Sequence, residues 1–338
     1  MTEAFTGRLE DHRFLQPWRL DLVRRSVGRH SEILLYRSQK RARLVIVKRI
    51  TCSSKSEQAE ATVAREFASL HIVRNRLPRE LLHTVATPLM LLRDPWALVL
   101  EPLSGEPLSV ILKREANRLA GPLRRSRMLT VGQLAGYWLS ELHQATRIDA
   151  FRHDSRVFLA ELEERLGRCH SIAAEAIARL WQLMREASRQ LDGQLMPAAA
   201  CQDDFIPQNL LIDGNRLGVV DFEAFTQSGA VYEDVATFMA YVQALSTHPY
   251  YSQTALRALT NSFLQAYGLS GDERPLRLYL ARALVVLISE MRGEWTALYG
   301  RKRFQLIRTP AAGKALSGAL VRIVTKAVPV FTGSRKGP

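Results

Sequence analysis

The sequence predicts an α+β chain of two lobes, a small antiparallel sheet with one inserted helix followed by a large, mainly helical part. Three observations predict it. β-type runs cluster before residue 100, helical periodicity dominates after it, and one turn-rich segment, Pro197 to Phe225, interrupts the helical part. With 338 residues and 47% hydrophobic content the chain can bury a sizeable core, and its length suggests two lobes rather than one small module. This composition excludes a disordered, collagen-like or disulfide-stapled chain.

Taken in order, Ile33 to Tyr36 and Leu44 to Ile50 are β-rich runs separated by a polar, basic turn, the pattern of a hairpin. From Ser56 to Arg76, apolar residues at Val63, Phe67, Leu70 and Val73 recur every three or four positions and make one face of a helix, which Pro78 closes. Val85 to Leu92 and Trp96 to Leu100 are two further strands, joined by a turn at Arg93-Asp94-Pro95. Helical patterning then covers 107–118, 127–147, 155–192, 230–247, 252–268, 275–300 and 310–328. In the turn-rich segment, two apolar runs flank Asp213-Gly214-Asn215, a strong hairpin signal. The expected division is a lobe over 1–102, a second over 103–309 and a basic tail over 310–338.

There are 47 Lys and Arg against 33 Asp and Glu, a formal charge of +14, and the sequence pI is about 10.1. Such a balance favours anionic partners: nucleotide phosphates, nucleic acid or an acidic membrane face. No nucleic-acid-binding motif accompanies the charge, so nucleic acid is not an expected partner. Cys52, Cys169 and Cys201 are widely spaced and odd in number, which argues against a disulfide framework or a zinc site and for a reducing, cytoplasmic setting. The charged residues near the N-terminus leave no apolar stretch for an export signal. The longest run free of Asp, Glu, Lys and Arg, Val235 to Leu256, contains Pro249 and several polar residues, and reads as a buried helix ended near that proline.

The candidate chemistry lies in the turn-rich segment. Asp204 precedes Asn209 by five residues, and Asp221 ends the apolar run Leu217 to Val220. Phosphoryl transfer uses such a set: one carboxylate orients the attacking hydroxyl and accepts its proton, while an amide carbonyl and a second carboxylate hold Mg²⁺ against nucleotide phosphates. In the first lobe Lys48, at the centre of a strand, needs an anionic partner if buried. Glu66 is the expected one, with Glu60 its rival.

These stretches resemble the aminoglycoside phosphotransferase and choline kinase family, relatives of the protein kinases. Gln202 to Asn209 (QDDFIPQN) and Val219 to Glu223 (VVDFE) resemble its catalytic loop and metal-binding motif, Leu142-His143 its Leu-His helix, Glu101 to Ser109 its hinge, and Asp234 the acid of its Tyr-Asp-Leu-Ala motif. The resemblance runs from about residue 20 to 300. It implies a two-lobed protein-kinase-like fold and transfer of the γ-phosphoryl group of ATP, with Mg²⁺, to a hydroxyl of a small molecule. Carried over by position, it makes Asp204 the base, and Asn209 and Asp221 the metal ligands. Lys48 and Glu66 become the phosphate anchor, the backbone at Glu101 and Leu103 the adenine contacts, and Gly28 the one glycine available to the phosphate loop. Asp203, Glu223, Asp234 and Glu294 are the acids expected on the acceptor side, with Glu223 alternatively near the metal. His143 is expected to be structural.

The sequence departs from the family at two places: Gln202 stands where it has histidine and Asp203 where it has glycine. An amide that both donates and accepts can still tether the loop. The alternative these residues raise is a nucleotide-binding scaffold without turnover. Trp295 to Pro338 contains basic residues and no Asp or Glu. Leu316, Leu320 and Ile323 would share one helical face there, with Lys314 and Arg322 on another. Such a helix fits either docking on the protein or peripheral contact with an anionic inner-membrane face, in which case a sugar or glycolipid hydroxyl becomes a candidate acceptor.

Overall fold

The expected hairpin is β2 (Ser31–Ser38) and β3 (Leu44–Ile50), antiparallel with Leu34 opposite Val47 and Tyr36 opposite Val45. In this computed structural model the described residues are 20–27, 31–38, 43–51, 56–93, 96–118, 122–169, 173–290 and residue 318. Gly28, Glu294 and the expected tail helix over 310–328 (residue 318 apart), together with the Asp94-Pro95 turn, lie outside them. The chain divides into two units, Met1–Gly105 with Gly218–Phe225, and Glu106–Leu217 with Thr226–Pro338.

In the first unit the sheet order is β1-β2-β3-β5-β4, with β1 at Leu20–Val27, β4 at Pro88–Arg93 and β5 at Trp96–Leu100. Alternation buries Leu34, Tyr36, Val45 and Val47 against Ala97 and Val99, the core of this sheet. The sequence reading missed β1. Its run LDLVRRSV buries only Leu20 and carries a register shift between Leu22 and Arg24, so it lacks the alternation that marks a half-buried strand. The helix α1 (Ser56–Arg76) buries Val63, Leu70 and Val73. Glu66 falls on that same face, three residues after Val63 and four before Leu70, and is carried inward with them. Glu60 is exposed. The strand expected from Val85 begins at Pro88, because a short 3₁₀ turn at Arg79–Thr84 follows Pro78.

The second unit starts with β6 (Glu106–Pro107), which pairs with β9 (Leu210–Asp213). Next come α2 (Leu108–Glu115), α3 (Pro122–Ala145) and β7 (Ile148–Arg152). The stretch 155–192, expected as continuous helix, is two helices, α4 (Ser155–Gly167) and α5 (Ala174–Gln190). Gly167 is the last residue of α4, and Asp154 caps its start by accepting from the N–H groups of Arg156 and Val157. β8 (Leu195–Cys201) lies between β7 and β11 (Thr226–Ala230), an antiparallel sheet that was also not expected. The turn at Asp213-Gly214-Asn215 joins β9 to β10 (Arg216–Val219), and Gly214 takes the positive φ, 59°, that such a turn requires. The last helices are α6 (Tyr232–Ser246), α7 (Gln253–Tyr267) and α8 (Arg274–Glu290). α6 is buried almost throughout and ends three residues before Pro249, as its apolar run predicts. No described helix is long and apolar enough to cross a membrane.

Helix α3 crosses α7 closely at Gly132. A Cβ added there would lie 2.0 Å from Ser262 Oγ and 2.4 Å from the Leu259 carbonyl. The close crossing needs glycine, and it sets the part of α3 that carries His143 beside Tyr267 of α7.

Candidate active site

Within the first unit, Lys48 of β3 is buried, and its Nζ lies 2.8 Å from Glu66 Oε2 and 2.8 Å from Asp221 Oδ1. Burial alone would lower the ammonium pKa, but Glu66 and Asp221 outweigh it and hold Lys48 above its ordinary value. Burial pushes Glu66 up against the pull of Lys48. Asp221 has a φ of 67°, a left-handed conformation uncommon outside glycine. Carboxylate oxygens of Glu66, Asp221 and Glu223 lie within 4.8 Å of one another. Glu66 and Asp221 contact the ammonium and Glu223 lies beside them, an oxygen-rich arrangement suited to a hard cation. Glu101, at the end of β5, donates its N–H to the Thr87 carbonyl at 3.0 Å, and Leu103 is half-buried two residues on.

Within the second unit, β8 delivers the chain into the loop Gln202 to Asn209. The loop is fixed at several points. Asp234, near the start of α6, is wholly buried and accepts from the Gln202 N–H with Oδ2 and from the Asp203 N–H with Oδ1, each at 2.8 Å. His143 Nε2 lies 3.1 Å from the same Oδ2, and His143 Nδ1 lies 2.7 Å from the Tyr267 hydroxyl. Burial first, then Asp234, pushes the Tyr267 phenol up, so it keeps its O–H; the tautomer with Nε2–H facing the carboxylate and Nδ1 accepting from that O–H satisfies both contacts. Phe205 is fully buried and stacked on Trp138, centroids 5.7 Å apart, which anchors the loop from the core side.

The polar side of the loop converges on Asp204. Gln202 is buried and its Oε1 accepts the Asp204 N–H at 2.9 Å, so the amide standing in place of histidine does tether the loop. Asn209 Nδ2 donates to Asp204 Oδ2 at 2.7 Å and to the Asp204 carbonyl at 3.0 Å. With its nitrogen committed to Asp204, the side chain of Asn209 has its carbonyl oxygen to offer a cation. Asp203 is, among the described residues, the other non-glycine residue at positive φ, 60°, and its Oδ2 accepts from the Thr226 hydroxyl at 2.8 Å. Burial, then the Asp234 charge, raises the Asp203 carboxyl to about 6.

Asp203 and Asp204 line a cavity of about 520 Å³ in this unit, a size suited to a small molecule. Asp234, expected on the acceptor side, is not there: its carboxylate is buried behind the loop and taken up by loop N–H groups and His143. It is a positioning residue. Glu223, also expected on that side, belongs to the first unit, beside Glu66 and Asp221. The cavity acids that the motifs did not mark are Glu161 of α4 and Glu233 of α6, both paired with Arg282 of α8. Burial, opposed by Arg282, raises Glu233 to about 7. His143, Cys201 and Asp234 also cluster, but in this structure Asp234 is taken up by the loop N–H groups and His143 lies between Asp234 and the Tyr267 hydroxyl.

An antiparallel sheet with one inserted helix bearing a Lys-Glu pair, and a helical unit bearing an Asp-Asn loop, define a kinase-like phosphotransferase. A family model described as phosphotransferase enzyme family matches residues 34–279, a span that takes in Lys48, Glu66, the whole loop and Asp221. The chain belongs to that family. Among solved structures it is similar to aminoglycoside phosphotransferase APH(2'')-Ib bound to ADP, with 14% identity, a TM-score of 0.56, and 96% of this chain and 98% of that chain covered. A thermostable mutant of APH(4)-Ia in ternary complex with ADP and hygromycin B matches with 14% identity and a TM-score of 0.59, over 93% and 98% of the two chains. A choline/ethanolamine kinase family protein from Mesorhizobium loti matches with 16% identity and a TM-score of 0.50, over 95% and 99%. At these identities the likeness is one of fold. No curated protein matches the chain.

Proposed function

We propose that the protein transfers the γ-phosphoryl group of ATP to a hydroxyl group of a small polar molecule. The observation that carries this reading is the Asp204 carboxylate, fixed by Asn209 at 2.7 Å on the wall of a cavity large enough for an acceptor. Asp204 accepts the acceptor's hydroxyl proton as the acceptor oxygen bonds to the γ-phosphorus, and the bond from that phosphorus to the bridging oxygen breaks with its electron pair leaving on ADP. Lys48, held cationic by Glu66 and Asp221, neutralises nucleotide phosphate charge. The Glu101 carbonyl and the Leu103 backbone take the adenine ring.

The donor set fits Mg²⁺, since Asn209 and Asp221 offer hard oxygen atoms, with Glu223 close to Asp221. When bound, Mg²⁺ supplies charge neutralisation on the phosphates and fixes their orientation. ADP in the similar structures of APH(2'')-Ib and APH(4)-Ia supports ATP as the donor, and hygromycin B in the latter supports a small hydroxyl-bearing acceptor.

The test is thermal melting with Mg²⁺ and ATP, followed by ADP release with added acceptors, on wild type, Asp221→Ala and Asp204→Asn. A metal-dependent rise in Tm that Asp221→Ala loses is expected. Asp204→Asn is expected to keep the rise and lose turnover. Full turnover by folded Asp204→Asn would remove the base from the mechanism, and nucleotide binding by wild type without turnover on any acceptor would make the protein a nucleotide-binding scaffold.

A further inference from the structure

Four carboxylates line the cavity: Glu161, Asp203, Asp204 and Glu233. Taken alone they would make it an attractive site for a polycation. Arg282 changes that balance. Its Nη2 lies 2.8 Å from Glu161 Oε2, and its Nη1 donates to Glu233 Oε2. The guanidinium carbon also sits 5.8 Å from the centroid of the Phe158 ring, so contacts from α4 and α6 together fix the position of this α8 side chain. Two of the four acids are therefore spent on an internal cation, and a third, Asp203, is engaged by the Thr226 hydroxyl.

Arg165 of α4 adds a second cation to the wall, and what else the described residues present to the cavity is uncharged hydrogen-bonding and apolar surface, including Ser228, Thr237 and Tyr241 beside Ile206 and Val286. Hydroxyl groups interleaved with aliphatic carbon suit a ring that carries hydroxyls on its edge and C–H groups on its faces. An ammonium group placed among these residues would meet a guanidinium already fixed in the wall, and such a built-in repulsive element is how a site rejects a competitor.

Resting on the phosphotransfer reading above, we infer that the acceptor is a neutral or singly charged polyol, a sugar unit, and that Arg282 is the specificity-determining residue that excludes polycations. The raised carboxyl group of Glu233, at about 7, acts in the same direction, since it offers only part of a negative charge across the neutral range.

The experiment compares kcat/KM for two acceptor panels, neutral and monoamino sugars against aminoglycosides carrying four or more ammonium groups, in wild type and Arg282→Gln. Wild type should favour the sugar panel, and Arg282→Gln should shift the ratio of the two panels toward the polycations by roughly 10- to 100-fold. Should Arg282→Gln fail to fold, the double variant Glu161→Gln with Glu233→Gln keeps the guanidinium and removes its counter-charges, and should move the ratio the opposite way. A wild type that prefers polycations, or ratios unmoved by both changes, overturns the inference. So does a wild type that Mg²⁺ and ATP stabilise and that turns over neither panel. Loss of the nucleotide-dependent rise in Tm, together with no acceptor-independent ATP hydrolysis, sinks the phosphotransfer reading itself, so the two failures are distinguishable.

Discussion

Replacing Asp234 removes the acceptor on which the Gln202–Asn209 loop hangs. The wild-type carboxylate takes the N–H groups of Gln202 and Asp203 at 2.8 Å each, in a position with no solvent exposure. A buried donor left without a partner costs about 1–3 kcal/mol, so Asp234→Ala, which strands these two loop donors besides removing the partner of His143 Nε2, should cost at least about 2–6 kcal/mol. Asp234→Asn keeps one acceptor oxygen and sets an NH₂ group against the other loop donor, so about 1–3 kcal/mol is expected. Typical domains have only about 5–15 kcal/mol in total, so the alanine variant is severely weakened and the asparagine variant is the one to assay. Urea unfolding gives the free energies, and hydrogen exchange at the Gln202 and Asp203 amides reads the loop directly. A loop displaced by about 1 Å should also lower kcat by roughly 100-fold, since Asp204 is fixed through it. An alanine variant within 1 kcal/mol of wild type, with both amides still protected, would refute this account of the loop.

Glu66→Gln should destabilise by about 1–3 kcal/mol in urea unfolding, less than the roughly 3–5 of a fully stranded buried charge, because Asp221 still contacts Lys48; an unchanged midpoint would show that the pair is not buried as described. Gly132→Ala should lower stability by about 1–3 kcal/mol or more through overpacking, although alanine is the better helix former, and a raised Tm would disprove the close crossing of α3 and α7. Glu233 links stability to pH: its folded carboxyl is raised from 4.5 to about 7, so the folded state keeps its proton longer than the unfolded chain, and stability falls as pH rises through that window. The slope from this one group is at most about 1.4 kcal/mol per pH unit, and the difference between wild type and Glu233→Gln, measured by denaturation from pH 4 to 8, should show it; parallel profiles would reject it.

The sequence by itself determined what depends on neighbours along the chain. Alternation in Ile33 to Tyr36 and Leu44 to Ile50 set the first hairpin, and Asp213-Gly214-Asn215 set the second. For Lys48 the sequence left Glu66 with Glu60 as its rival, each three residues from Val63, and the structure buries Glu66 and exposes Glu60. The five-residue separation of Asp204 and Asn209 was readable because one tight loop joins them. Only the tertiary structure decided the rest. The edge strand β1 and the sheet β7-β8-β11 arise from partners found elsewhere in the chain, and β8, with its alanine run, has little β pattern of its own. Whether Asp234 faced the acceptor or the loop depended on how deeply α6 is buried, and the Arg282 ion pairs join residues 49 and 121 positions apart. The physical reason is the range of the signal: periodicity and turn chemistry are written over a few residues, whereas burial and charge pairing are settled only when distant segments meet.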